Sequence, residues 1–154
     1  MTTPDIDRRR AVMSTLALSS LSDLESAWNA WQPQPEVTMV RGPESGLIMV
    51  RGRVGGGGVR FNLGEATVTR ATVSMTEPHA EPIIGHAYSL GRNRQKVRLA
   101  AIFDALWCAP ESRERFERSV LAHLESCLLE TEKIASEQAA ATEVNFFTMV
   151  RGES

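Results

Sequence analysis

Long apolar runs are missing from this chain. No stretch approaches the ~18 consecutive apolar residues that a membrane-spanning helix needs, so none is expected. Cysteine is scarce. Cys108 and Cys127 are the only two, without C-x-x-C spacing, which excludes a disulfide framework and points to reduced thiols in cytosolic helices. Neither sign of charge dominates: 17 Lys and Arg stand against 19 Asp and Glu, for a net charge of −2. Nucleic-acid and anionic-membrane binders are usually strongly basic, so neither partner is expected. The first residues carry Asp5, Asp7 and three arginines but no apolar core of a secretory leader, which leaves the cytoplasm as the expected compartment.

Other absences concern chemistry. His79, His86 and His123 and the two cysteines show no zinc-type spacing, and no metal site is expected. There is no G-x-S-x-G nucleophile elbow and no G-x-x-x-x-G-K-[ST] phosphate loop. No catalytic residue is assigned. Sites are also built from scattered residues, so these gaps alone do not exclude catalysis.

What is present suits one domain over residues 1–154. A first helix is expected from residue 4 to about 19, with Thr3 as cap, Pro4 at the first position, and Val12, Leu16 and Ser20 on one stripe. Ser22-Asp23-Leu24-Glu25 reads as a capping box opening a second helix, with Leu21, Leu24, Trp28 and Trp31 at helical spacing and Pro33 and Pro35 beyond it. The middle reads as strands. Val37–Arg41 and Leu47–Val54 are expected to flank a turn at 42–46; Val59–Leu63, Ala66–Met75 and Ile83–Leu90 follow. Helical spacing returns at Asn93, is interrupted at Pro110, and resumes from about 112 to 142 with a break near Ser126. Helices, then strands at hairpin spacing, then helices predict an α+β fold with an antiparallel sheet of about four strands and a terminal apolar, strand-like tail. The tetrapeptide Met-Val-Arg-Gly occurs at 39–42, 49–52 and 149–152, too irregularly for a solenoid, and reads as strand ends at turn glycines.

Three features carry the local hints. Gly55, Gly56, Gly57 and Gly58 free backbone amides that can wrap a phosphate, with Arg60 beside them; a loose hairpin tip is the plainer and favoured reading. Arg92, Arg94, Lys96 and Arg98 crowd a helix start, where negative charge is preferred. A bound anion or a partner's carboxylates resolves that conflict, as does plain solvation. The tail carries Phe146, Phe147, Met149 and Arg151 in a strongly apolar setting, and is expected either to add a strand to its own sheet or to dock into another protein. His86, on a strand face with Ile84, Tyr88 and Leu90, reads as a packed histidine.

Val54-Gly55-Gly56-Gly57-Gly58-Val59-Arg60-Phe61-Asn62-Leu63-Gly64-Glu65-Ala66-Thr67-Val68-Thr69-Arg70, the stretch from Gly85 through Leu90-Gly91-Arg92 to Asp104-Ala105-Leu106, and the ending Phe146-Phe147-Thr148-Met149-Val150-Arg151-Gly152 together resemble the PhnG family, the G subunit of the carbon–phosphorus lyase system. Glu143 and Asn145 depart from the family's ending, which often has a basic residue there and an acidic one before the two phenylalanines. The resemblance implies assembly with H, I and J subunits, the I subunit being the direct contact and the main seat of adenine release. It implies that the complex couples a phosphonate such as methylphosphonate to the ribose of ATP, with ATP and methylphosphonate as substrates and no cofactor on this chain. Displacement at the anomeric carbon calls for a carboxylate near the sugar, and Glu65 and Asp104 match the family's acids. Asp104, in mid-helix, reads as a structural group paired with an arginine or with a partner rather than as a catalytic one. Arg60, Arg70, Arg92 and Arg94 are candidates for holding phosphate or for facing a partner. The leading expectation is a supporting subunit without a complete site. A phosphate-binding domain lending arginines to a shared site, and an independent homodimeric binding protein with a swapped tail, are the alternatives.

Overall fold

The computed structural model describes residues 3–76 and 81–141. Helix α1 spans Thr3–Leu18 and α2 spans Leu21–Ala30. The cap of α2 lies two residues before the expected box: the Ser20 hydroxyl accepts from the Asp23 backbone N–H at 3.1 Å. Ser20 and Asp23 occupy the two ends of a one-turn cap, which Ser22 and Glu25 mimic in sequence. Val12 and Leu16 of α1 are buried, as is Ser19 just beyond its end, while Ser20 is exposed.

Three strands form the sheet among the described residues: β1 (Glu36–Arg53), β2 (Arg60–Thr76) and β3 (Ile83–Leu90), antiparallel in that order. The sequence had suggested about four, because segment 42–46 reads as a turn. It is instead a stretch of irregular pairing within one strand, with register shifts between Met39 and Arg41 and between Arg41 and Glu44. Pro43 cannot donate to a ladder, but β1 is an edge strand, where proline and bulges are tolerated. Val59–Leu63 and Ala66–Met75 likewise merge into β2, with a further shift between Val50 and Arg51.

Alternation along the strands assigns the two faces. Thr69, Ala71, Val73 and Met75 of β2 and Gly85, Ala87 and Ser89 of β3 are buried. Beneath them lies α3 (Arg94–Cys108), buried on all sides from Leu99 to Trp107. Gly85 allows this close contact: a Cβ there would meet the Ala101 carbonyl oxygen, and would lie 2.7 Å from the Ala105 nitrogen. The helices pack around the other side of α3, with Phe103 edge-on to Trp28 at 6.2 Å and tilted against Phe116 at 5.8 Å. Beyond Pro110 the chain continues as α4 (Pro110–Phe116), a π-helical turn (Glu117–Leu121) and α5 (Ala122–Ala141). The break expected near Ser126 is absent, since α5 runs unbroken through that residue; the irregularity lies earlier, at the π turn, where Val120 and Leu121 are both buried.

Candidate functional site

The basic helix start is real and exposed. β3 ends at Leu90, Gly91 turns the chain with φ +90°, and the Asn93 side chain caps α3 by accepting from the Lys96 N–H at 2.9 Å. No acidic residue occupies the first turn, and Arg92 and Arg94 are exposed side by side. Burial pushes the Lys96 ammonium below its ordinary range. Lys96 borders an open groove of 410 Å³ with Leu18, Val68, Tyr88 and Leu90.

The other two candidate arginines lie elsewhere. Arg70 projects from the uncovered face of the sheet, where its Nε donates to Glu44 Oε1 at 2.7 Å. Arg41 donates to the same oxygen at 2.7 Å. These bonds, Arg70's first and Arg41's second, hold the Glu44 carboxyl below the usual carboxylate range. Arg60 sits at the far end of the β1–β2 hairpin with Arg53 as its cross-strand partner. Eight residues of β2 separate it from Val68, the partner of Leu90, or roughly 25 Å at ~3.3 Å per residue. The four arginines therefore form no single cluster. The glycine run lies at the hairpin tip, where Gly55 has φ +59° and a Cβ on Gly58 would come within 2.7 Å of the Val54 carbonyl oxygen.

The two candidate acids differ. Glu65 is exposed, opposite Met49 on the hairpin. Asp104 is fully buried, and both its oxygens are engaged. Arg9 Nε donates to Oδ1 at 3.0 Å and Arg9 Nη2 to Oδ2 at 2.7 Å, while the His86 backbone N–H donates to Oδ2 at 2.7 Å. This carboxylate ties α1 and α3 to the open edge of β3. Burial first, and the charge of Asp104 second, push the nearby Cys108 thiol up to about 11. His86 itself is exposed rather than packed, with Nδ1 3.1 Å from the Thr72 hydroxyl. Phe146, Phe147, Met149 and Arg151 lie outside the described residues.

Sequence reading missed the uncovered face of the sheet. Ile84, Tyr88 and Leu90 do share a face, but it is the exposed one, opposite the buried Gly85, Ala87 and Ser89, with Tyr88 and Leu90 bordering α1 at the open edge of β3. The signal was available as alternation opposite the small residues Gly85, Ala87 and Ser89. The model of the family described as phosphonate metabolism protein PhnG matches residues 7–152. The chain belongs to the PhnG family. Its PhnG relative from Rhizobium meliloti (strain 1021), the alpha-D-ribose 1-methylphosphonate 5-triphosphate synthase subunit PhnG, is 47% identical over 151 residues, covering 96% of this chain and 92% of that one.

Proposed function

We propose that this chain is a supporting subunit of a complex that couples an alkylphosphonate to the ribose of ATP, releasing adenine and forming ribose 1-methylphosphonate 5-triphosphate. The observation that carries this reading is 47% identity, across nearly both whole chains, to a protein named as a subunit of that synthase. The buried acid supports a structural part for this chain, since Asp104 spends both oxygens on Arg9 and His86. In this reading the partners are the H, I and J subunits, the I subunit in direct contact and the tail around Phe146, Phe147, Met149 and Arg151 at the interface. ATP and methylphosphonate are substrates of the assembly, this chain carries no cofactor, and the assembly works in the cytoplasm.

The test is co-expression with the I subunit, followed by size-exclusion chromatography and an adenine-release assay. A stoichiometric complex that releases adenine, beside an isolated chain that does not, is the expected result. Adenine release by the isolated chain, or a chain that ignores the other subunits, sinks the reading. A second reading, in which arginines reach a shared active site, is favoured by Arg53 and Arg60 facing each other at the hairpin tip. Arg60→Ala with Arg92→Ala and Arg94→Ala separates the two: lost turnover with intact assembly supports the second.

A further inference from the structure

The β1–β2 hairpin outruns the rest of the sheet. β3 covers β2 from Val68 to Met75 only, so the pairs from Leu47↔Thr67 to Arg53↔Arg60 form a two-stranded arm. An isolated two-stranded ribbon is at best marginally stable in water. This one also exposes large apolar side chains along its length. Ile48 and Val50 pair with Ala66 and Gly64, and the side chains of Phe61 and Leu63 fold over Gly52, whose hypothetical Cβ lies 3.6 Å from Phe61 Cζ. That apolar face continues the uncovered side of the sheet through Val68 to Leu90 and Tyr88. Along it Ile48 is 47% exposed, Phe61 44%, Leu63 64%, Tyr88 57% and Leu90 74%. Monomeric proteins rarely leave so continuous an apolar strip in water. The other face of the arm and its end carry Arg51, Arg53 and Arg60 beside the exposed Leu47 and Met49, and none of these arginines lies within ion-pair distance of a carboxylate among the described residues.

We infer that this arm, with the adjoining strip of the sheet, is the docking surface for another subunit, one that offers an apolar wall to Ile48, Phe61 and Leu63 and carboxylates to Arg51, Arg53 and Arg60. This rests on the subunit reading above and names the surface that serves it. Charge complementarity favours a different protein over a second copy. Two sheets of this chain meeting face to face offer these three arginines only Glu36 and Glu65, because Glu44 is already held by Arg41 and Arg70. Aromatic and arginine side chains are also those enriched where interfaces carry their binding energy.

The experiment compares assembly of the full chain with the co-expressed synthase subunits. Phe61→Asp/Leu63→Asp should weaken assembly at least 10-fold, while the melting temperature of the isolated chain stays near that of the wild type. Arg53→Glu/Arg60→Glu should weaken it at low salt, with the loss shrinking as salt rises. Leu129→Asp/Ile134→Asp, exposed on α5, should assemble like the wild type. Hydroxyl-radical footprinting of the wild-type chain needs no variant to fold, and should find Phe61, Leu63 and Tyr88 protected in the complex. Arm variants that assemble normally, no footprint on the arm, or an isolated dimer that Phe61→Asp/Leu63→Asp alone dissolves would overturn the inference and leave the subunit reading standing. A wild-type chain that joins no subunit removes both.

Discussion

Asp104 is the residue on which most of the layout turns. A fully buried carboxylate is costly unless its charge is matched and its lone pairs are filled. Here a forked guanidinium and a backbone N–H do both. Arg9 gains from the same bond: the hydrogen bond to Asp104 raises its already high pKa, outweighing its partial burial. Asp104→Asn keeps the shape but leaves a half-buried guanidinium without its counter-charge. We expect it to cost about 3 kcal/mol, read as a lower urea midpoint. On the proposed function, complex that does form should release adenine at the normal rate. A structural pairing of the mid-helix acid, with an arginine or with a partner, was legible in the sequence; that it is made within the chain by Arg9, 95 residues away, was not.

At the scale of elements, the β3–α3 contact is the tightest joint. Alternating Gly85, Ala87 and Ser89 give β3 a smooth inner face, and α3 answers with Ala101 and Ala105. Gly85→Ala has no room to relax, because its new methyl meets helix backbone rather than a movable side chain. Overpacking of this kind costs about 3 kcal/mol, and calorimetry on the isolated chain should show the drop in melting temperature. The helices were legible because hydrophobic spacing and caps act locally. The turn assigned to 42–46 was not correctly legible. Glycine and proline signal a turn or an edge-strand bulge equally well, and only pairing with β2 chooses between them.

Across the whole molecule, Glu117 joins elements that the chain keeps apart. Its Oε1 accepts from Trp107 Nε1 at 3.0 Å on α3 and from Arg8 Nε at 3.3 Å on α1. The bond from Trp107 first, then the one from Arg8, lowers its pKa from the ordinary 4.5. The folded state therefore holds this proton more weakly than the unfolded chain. The stabilisation is complete above about pH 4.5 and is lost as pH falls through the lowered folded value. Urea midpoints should decline below that pH, and Glu117→Gln should flatten the decline. Much of this side chain is open to water, so the effect should be small and should weaken with salt.

The sequence alone determined the α+β class, the order of helices and strands, the hairpin placement of the glycine run and the family. Those follow from local propensity, periodicity and a long, specific match. The tertiary structure decided which face of each strand the helices cover, and so turned Ile84, Tyr88 and Leu90 outward. It also decided that Arg70 is held by Glu44 while Arg53 and Arg60, at the end of an arm, have no ion-pair partner among the described residues. Alternation defines two faces of a strand but cannot say which one a distant helix will bury, and ion pairs between residues far apart in the chain exist only once the sheet has set its register.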